Sequence, residues 1–432
     1  MSTNWQFPSV RPLLRLRAVK VLLACALFWL AAFEYCRLLF WRDPHSAFFD
    51  DSHVYDLKYS LYREREAQHL ISQYNSLSAA PDTVKASPDP LICAAFVTIR
   101  RTPDNYFDPS IGSALEGLDP RERRALYLSV LFADTDPGNH PSWGQKWVDR
   151  LADSAGSYHN VTGDQFQHLR KLEEDQNFRE KGVFDYIYAL SSCQASNAPY
   201  TVIFEDDIIL AEGWLTKTLK SLIDIDRTLR NDAWIYLRLF YSETFLSWSS
   251  ADFAYRNMPL IFALAVLLAL ACLSALRRSS ARCRPYLDPG TMGVICLLCV
   301  PAFTALLYMI GKYSLMPLRG VVEMNAYGCC TQGLVFPTRQ VDGLIAHLRE
   351  TGHGQTDLMI EDYAEQTRLT RYALAPQQLQ HVGLKSSRNN PEINARSTLA
   401  FWFEENDPGI VRREHDEILH SPDVESVLDN YS

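Results

Sequence analysis

Three consecutive acidic residues, Glu205-Asp206-Asp207, directly follow the apolar run at residues 200–204. Carboxylates crowded at the end of one strand repel one another, and a bound cation offsets that repulsion. Because side chains alternate along an extended chain, Glu205 and Asp207 are predicted to converge while Asp206 turns away. Mn²⁺ or Mg²⁺ is the expected ion, since both prefer oxygen ligands and bridge carboxylates to phosphates. A solvated acidic turn is the alternative.

Charged side chains also end two further apolar runs. Arg100 and Arg101 follow residues 91–99, and Asp134 follows residues 127–133. Arginine suits a diphosphate because its guanidinium stays charged and donates paired hydrogen bonds; a surface pair at a strand end is the alternative. The sequence contains neither GxxxxGK[ST] nor GxGxxG, so neither a P-loop nor a dinucleotide fingerprint accounts for phosphate binding.

The C-terminal part offers one histidine and one acidic cluster. His381 lies in a segment with glycine and serine, where it could complete a metal or diphosphate site, although a single histidine is more often structural. Asp357, Glu361 and Asp362 open a predicted helix, where the helix dipole favours acidic side chains in any case. The functional alternative for this cluster is a general base.

The elements that must position these residues alternate between strand and helix patterns. Predicted strands lie at residues 91–99, 127–133, 200–204 and 328–337, and helical patterns lie around 120–126, 164–192, 341–348 and 357–369; residues 379–383 are a late strand or loop. This alternation predicts an α/β fold with a mainly parallel sheet, and ligands bind at the carboxyl ends of such strands.

Three apolar segments, at residues 19–40, 258–276 and 292–310, are long enough to cross a hydrocarbon core of about 30 Å. Buried core helices are the alternative for the second and third. Basic residues precede the first segment and separate the other two, so the positive-inside rule places both basic stretches in the cytosol. The predicted organisation is a cytosolic tail (1–18), an anchor (19–41), a luminal stem (42–90), a first catalytic part (91–257), a transmembrane hairpin (258–311, cytosolic loop near 277–291) and a second catalytic part (312–432).

Charge and cysteine content agree with a luminal domain. The net charge of −9 argues against a nucleic-acid-binding protein. Cys93, Cys193, Cys329 and Cys330 lie in the predicted luminal blocks, where an oxidising compartment favours pairing. Cys93–Cys193 with a vicinal Cys329–Cys330 is the expected pairing, and reduced thiols are the alternative. Asn160-Val161-Thr162 is a glycosylation acceptor.

Together these segments resemble the Golgi transferases that add a GalNAc side branch to glycosylphosphatidylinositol (GPI) anchors. The resemblance covers nearly the whole chain and rests on the N-terminal anchor, the interrupting hairpin and five motifs: Phe96-Val97-Thr98-Ile99-Arg100-Arg101, Val202-Ile203-Phe204-Glu205-Asp206-Asp207, Trp234-Ile235-Tyr236-Leu237-Arg238-Leu239-Phe240-Tyr241-Ser242-Glu243, Gly328-Cys329-Cys330 and His381-Val382-Gly383-Leu384-Lys385-Ser386-Ser387.

The resemblance implies a GT-A fold and inverting transfer of GalNAc from UDP-GalNAc, with Mn²⁺ as cofactor, to a mannose of GPI-anchored proteins in the Golgi lumen. It implies that Glu205-Asp206-Asp207 replaces the usual DxD motif. The expected donor-binding residues are Val97, Thr98, Arg100, Arg101, Asp134, Glu205 and Asp206, and the expected metal ligands are Asp207, Glu205 and His381.

Asp362 is the first choice for the base, because Ile360-Glu361-Asp362 resembles the hydrophobic-Glu-Asp signature of such transferases. Glu361 and Asp357 are the reserves. A non-catalytic glycan cargo receptor and a metal-dependent GPI phosphodiesterase are the alternative functions.

Overall fold

The computed structural model describes residues 16–76, 85–101, 105–228, 233–324, 330–383 and 399–432. The chain forms two compact units: Met1–Val54 with Glu243–Pro317, and Tyr55–Ser242 with Leu318–Ser432. The first unit contains the predicted anchor and hairpin, and the second contains the predicted strands. The chain therefore passes between the units three times.

The first unit contains three helices that are long and apolar enough to cross a membrane: Arg17–Leu39, Met258–Ser279 and Pro289–Met309. In the most apolar window of Met258–Ser279, 0% of the residues are buried. Apolar surface of this extent is stable in lipid and not in water, so the interpretation as buried core helices is wrong. The three predicted membrane helices are confirmed, and the protein is a membrane protein.

Shorter elements complete the first unit. A π-helical turn, Ile295–Cys299, interrupts the third long helix between Pro289–Val294 and Val300–Met309. Asp43 is buried and accepts hydrogen bonds from the His45 and Ser314 backbone N–H groups at 2.8 and 3.0 Å. This carboxylate therefore fixes the chain after the first helix to the chain after the third. The remaining short helices are Glu243–Phe245, Phe253–Arg256, Arg284–Tyr286 and Lys312–Leu315.

The second unit is built on a mixed β-sheet. Its strands are β1 (Ile92–Thr98), β2 (Leu126–Phe132), β3 (Ser154–Gly156), β4 (Tyr200–Glu205), β5 (Ile208–Leu210), β6 (Trp234–Arg238), β7 (Gly320–Glu323), β8 (Gly333–Pro337), β9 (Thr370–Ala375) and β10 (Leu379–His381). Eight of them form one sheet in the order β3-β2-β1-β4-β8-β6-β9-β7, and β5 pairs with β10 in a second, antiparallel sheet.

Strand directions explain where polar side chains gather. β1 is parallel to β2 and β4, β3 is parallel to β2, and β9 is parallel to β6. β8 is antiparallel to both β4 and β6, and β7 is antiparallel to β9. The predicted, mostly parallel α/β sheet is thus confirmed. Because β8 runs in the opposite direction, the residues before β8 lie at the same edge as the carboxyl ends of β1, β2 and β4.

Helices cover both faces of this sheet, which explains its continuous apolar strands. In β1, Phe96 packs into the apolar cluster on one face and Ala95 into the cluster on the other. The helices of the second unit are Tyr59–Ser76, Phe107–Leu115, Pro120–Ala125, Pro137–Asn139, Lys146–Leu151, Gly163–Glu174, Phe178–Gln194, Trp214–Thr228, Thr338–Thr351, Thr356–Thr367, Phe401–Glu405, Pro408–Leu419, Pro422–Leu428 and Asp429–Tyr431.

Two predicted elements differ from the structure. The single helix predicted at 164–192 is two helices, which are separated at Gln176, a residue with a positive φ of 54°. Within the predicted stem, helix Tyr59–Ser76 belongs to the core of the second unit, because its apolar stripe, including Tyr59 and Ile71, is buried there. Gly112 permits the close contact of this helix with Phe107–Leu115: a Cβ at Gly112 would lie 2.6 Å from Ala67 O.

The predicted Cys93–Cys193 disulfide is confirmed, with Cα atoms 5.6 Å apart. It joins β1 to helix Phe178–Gln194, whereas the sequence placed both cysteines in strand regions. Cys330 is also disulfide-bonded. Cys329 lies outside the described residues, so the vicinal pairing stays a prediction.

Candidate functional site

A cleft of about 630 Å³ opens at the carboxyl ends of β1, β2 and β4. Most residues that the sequence singled out line it: Val97, Arg100, Arg101, Asp134, Glu205, Asp206, Asp207, Asp357 and His381. The other three, Thr98, Glu361 and Asp362, do not. Among the described residues that line the cleft, acidic side chains outnumber lysines and arginines, because Glu173 and Asp185 also contribute and Lys181 is the one further basic residue of these types.

A potential metal site lies at the end of β4. Ligand atoms of Glu205, Asp207 and His381 all lie within 4.8 Å of one another. The small sheet brings the histidine there, since His381 of β10 pairs with Ile208 of β5. The Val382 N–H also donates to Asp207 O at 2.8 Å, which closes the pairing next to the carboxylate.

Asp207 is buried, and its environment keeps it ionised. Its Oδ2 lies 2.9 Å from Arg101 Nη1 and 3.3 Å from His381 Nε2. Burial alone would raise the pKa of this carboxyl, but His381 and Arg101 outweigh burial and lower the pKa to about 2. Its Oδ1 is buried and has no hydrogen-bond partner in the described part of the chain. A buried carboxylate oxygen without a partner is costly, and a divalent cation would satisfy it, so the residues present fit a metal ion.

Asp206 is not part of the potential metal site, as the alternation of side chains predicted. Its Oδ2 accepts hydrogen bonds from Thr98 Oγ1 at 2.8 Å and from the Ile99 N–H at 3.3 Å. Arg101 Nη2 donates to its Oδ1 at 2.7 Å. Thr98, which was predicted to bind the donor, is a buried part of this network.

His140, which the sequence analysis did not single out, extends this network. The Ser142 N–H donates to His140 Nδ1 at 3.1 Å, so Nε2 carries the proton that faces Thr98 Oγ1 at 3.0 Å. The Thr98 hydroxyl then donates to Asp206. No local pattern marks His140, because its partners are 42 residues away or belong to its own turn.

The two arginines after β1 differ in their partners. Arg101 is paired with both aspartates of the acidic motif, and these charges raise its pKa against the opposing effect of burial. Arg100 is exposed, lines the cleft and has no ion-pair partner among the described residues. Both arginines were predicted to bind a donor diphosphate. Arg101 is held by the two aspartates, whereas Arg100 leaves its charge open to an anionic ligand in the cleft.

The acidic cluster of helix Thr356–Thr367 is divided among three environments. Asp357 lines the cleft, and its Oδ2 accepts a hydrogen bond from the Cys330 N–H at 3.3 Å. Glu361 forms ion pairs with Arg238 at 3.1 Å and with Arg371 at 2.8 Å. Asp362 is exposed to solvent. Asp357 is thus the member of the cluster that a ligand in the cleft can reach.

The wall of the cleft also contains a satisfied charge cluster. Lys181 Nζ donates to both Asp185 oxygens at 2.9 Å and to Ala133 O at 3.0 Å. The charges of Lys181 and Asp185 therefore neutralise one another within the cleft wall.

Fold and site together define a membrane protein with a mixed α/β unit, whose cleft is suited to a cation and an anionic ligand. A family model described as GPI-N-acetylgalactosamine transferase PGAP4 matches residues 92–380, and the chain belongs to this family. The resemblance found in the sequence is confirmed, and the chain is a glycosyltransferase. No curated protein matches it.

Proposed function

We propose that the chain is an inverting transferase that moves GalNAc from UDP-GalNAc to a mannose of the GPI glycan. The observation that carries this proposal is the convergence of Glu205, Asp207 and His381 in the cleft that Arg100 also lines, within a member of the GPI-GalNAc transferase family. Arg100 has no ion-pair partner among the described residues. The catalytic unit is proposed to have the GT-A fold and to face the Golgi lumen.

The charge of the cleft supports a metal-dependent donor site. Carboxylates predominate there, so a diphosphate would be repelled without a cation. Mn²⁺ or Mg²⁺ held by Glu205, Asp207 and His381 would neutralise the diphosphate and stabilise the departing UDP. Arg100 would add a charged donor from the other side, and Val97 and Asp134 would contact the rest of the nucleotide.

Asp357 is the proposed general base. In the transfer, the acceptor oxygen forms a bond to the anomeric carbon, and the bond from that carbon to the phosphate oxygen breaks. UDP leaves with the electron pair, and the Asp357 carboxylate takes the proton of the mannose hydroxyl. Its hydrogen bonds from the Cys330 and Leu358 N–H groups, at 3.3 and 2.9 Å, fix the carboxylate without neutralising it.

The membrane helices fit a lipid-anchored acceptor. The chain joins the catalytic unit to the membrane unit at three points, which confines the enzyme to the bilayer that holds its acceptor. Confinement raises the effective concentration of the acceptor and replaces part of the binding energy that a freely diffusing enzyme would need.

The test is a donor screen with the purified full-length protein, a GPI acceptor and Mn²⁺, read by mass spectrometry. The expected product is the acceptor plus one N-acetylhexosamine, formed from UDP-GalNAc and abolished by EDTA. Asp207→Ala should abolish transfer, whereas the exposed Asp164→Ala should not. Acceptor binding without turnover would favour the cargo receptor, and release of the lipid would favour the phosphodiesterase; either result overturns the proposal.

A further inference from the structure

Two neighbouring residues contact both chemically important carboxylates of the cleft. Thr331 Oγ1 donates a hydrogen bond to Glu205 Oε1 at 2.6 Å. The backbone N–H of Cys330 donates to Asp357 Oδ2 at 3.3 Å. Both residues line the cleft. One short piece of chain therefore holds a ligand of the potential metal site and the acid proposed as the base.

The strand register fixes this segment in place. β8 runs antiparallel to β4, with Gly333 opposite Phe204, and the Glu205 N–H donates to Gln332 O at 3.4 Å. Thr331 precedes this pair, so its side chain comes next to Glu205. A Cβ at Gly333 would lie 2.7 Å from Leu379 Cδ2 and 3.0 Å from Phe204 Cε1, so this end of β8 packs closely against both side chains.

Cys330 has a backbone conformation that needs support from its surroundings. Its φ of 80° lies in the left-handed region, which few residues other than glycine adopt. Such a conformation persists only where neighbouring structure fixes it, and Cys330 is disulfide-bonded. The N–H that meets Asp357 therefore belongs to a residue whose backbone is conformationally constrained.

Both hydrogen bonds control the direction of a carboxylate. A donor on Glu205 Oε1 fixes the rotation of this carboxylate relative to Asp207 and His381. The Cys330 N–H does the same for Asp357, together with the Leu358 N–H. Rotation of either carboxylate would shift the residue bonded to it, Thr331 or Cys330. Because these two residues are adjacent in the chain, the shift would be passed to the other carboxylate.

We propose that Thr331 is a positioning residue that couples the metal site to the general base. Its hydroxyl orients Glu205 and at the same time anchors the adjacent Cys330, whose amide orients Asp357. This inference rests on the proposed function. It predicts that loss of one hydroxyl impairs both metal binding and turnover, although Thr331 itself takes no part in bond making.

Three variants of the full-length protein test this coupling. Thr331→Val removes the hydroxyl at nearly constant volume, and Thr331→Ser keeps it. Thr338→Val is the matched control, because Thr338 Oγ1 donates to Ala198 O at the opposite end of β8. The measurements are the Mn²⁺ concentration for half-maximal transfer, kcat at saturating Mn²⁺ and Tm.

Thr331→Val is expected to raise the half-maximal Mn²⁺ concentration about tenfold and to lower kcat at saturating Mn²⁺ about tenfold. A tenfold change corresponds to the loss of about one hydrogen bond to a charged group. Thr331→Ser should restore both values to within about twofold, a range that excludes loss of a full charged hydrogen bond. Thr338→Val should change neither value.

Three results would overturn the inference. A Thr331→Val variant with a lower Tm but normal Mn²⁺ dependence and kcat would make Thr331 merely structural. A shift in Mn²⁺ dependence without a change in kcat would remove the link to Asp357. Failure of Thr331→Ser to recover activity would show that the hydroxyl is not responsible.

The failure of this inference can be separated from failure of the proposed function. Direct titration of Mn²⁺, followed by electron paramagnetic resonance of the free ion, needs no sugar donor or acceptor. If wild type binds Mn²⁺ but transfers no GalNAc, the proposed function fails. In that case, a normal Mn²⁺ affinity of Thr331→Val would independently overturn the orienting role toward Glu205.

Discussion

Gly383 lies directly against the Asp207 carboxylate: a Cβ on Gly383 would come within 2.0 Å of Asp207 Oδ2 and 2.6 Å of Cγ. The same oxygen faces His381 and Arg101. The Gly383 backbone, Arg101 and His381 therefore all crowd this one oxygen. The absence of a Cβ at residue 383 is a condition for the geometry of the metal site.

Gly383→Ala should accordingly abolish Mn²⁺-dependent UDP binding, because the added methyl group displaces Asp207 from Glu205 and His381. The measurement is calorimetric titration of UDP with and without Mn²⁺. Gly138→Ala is the control, since a Cβ there would meet its nearest atom at 3.4 Å, an ordinary contact. Normal UDP affinity in Gly383→Ala would contradict the assignment of Asp207 to the metal site.

The Cys93–Cys193 disulfide closes a loop of 100 residues across the parallel half of the sheet. Closure of such a loop restricts the unfolded chain, and the entropic estimate for it is roughly 4–5 kcal/mol. Cys93→Ala/Cys193→Ala should therefore lower the Tm by roughly 10 °C. The free, exposed Cys272 provides the control, and Cys272→Ala should leave Tm unchanged. If the Tm of the double variant changed as little as that of Cys272→Ala, this expectation would be contradicted.

His140 should make stability depend on pH. It is 4% exposed, and burial, which outweighs the opposing charge of Asp134, lowers its pKa to about 4. The folded state thus binds fewer protons than the unfolded state, whose histidine titrates near pH 6.5. The neutral, buried histidine therefore contributes to the free energy of unfolding above about pH 6.5. This contribution is lost as the pH falls to about 4, and the loss amounts to about 3 kcal/mol.

His140→Gln should flatten the fall in unfolding free energy between pH 6.5 and pH 4. The measurement is denaturant unfolding at a series of pH values, with the exposed His353→Gln as control. A His140→Gln curve parallel to that of wild type would show that His140 is not the titrating group.

The strand ends of the cleft were predictable because buried parallel strands are uninterrupted apolar runs, and the first charged residues after them must lie at the sheet edge. Glu205, Asp207, Arg100 and Arg101 were found in this way. His140 and Thr331 were not, since their roles depend on contacts with residues distant in sequence. The antiparallel direction of β8, which brings Thr331 to this edge, has no signature in the sequence of the strand itself.

The choice among the acids of helix Thr356–Thr367 shows a second limit. Asp362 follows Asp357 by five residues, so the two point about 140° apart around the helix axis. Glu361 lies nearer to the Asp357 direction but is one turn further along, where Arg238 and Arg371 bind it. Local sequence order favoured Asp362, whereas the packing of the helix against the sheet decides which acid faces the cleft.

Orientation in the membrane can be tested directly. We expect the catalytic unit to be luminal and the loop around residues 277–284 to be cytosolic, because four arginines are concentrated there. A glycosylation tag inserted at residue 282 should remain unmodified, and a tag after residue 320 should be modified; a shift in gel mobility that glycosidase removes is the readout. The exposed Asn160 should also accept a glycan. Modification at residue 282, or none after 320, would contradict this topology.

The last prediction separates the three acids of helix Thr356–Thr367. Asp357→Asn keeps the size of the side chain but removes the carboxylate that is proposed to accept the proton of the acceptor hydroxyl. We expect kcat to fall by about 10² to 10⁴, the range for loss of a general base. Mn²⁺-dependent UDP binding should persist, because the three metal-site side chains are unchanged.

The neighbouring acids provide matched controls. Asp362→Asn should leave kcat near the wild-type value, because Asp362 is exposed and does not line the cleft. Glu361→Gln should lower Tm, since it weakens the ion pairs with Arg238 and Arg371, with a smaller effect on kcat. If Asp362→Asn abolished turnover and Asp357→Asn did not, Asp362 would be the general base. Helix Thr356–Thr367 would then have to rotate when the acceptor binds. Full activity in all three variants would place the base outside this helix.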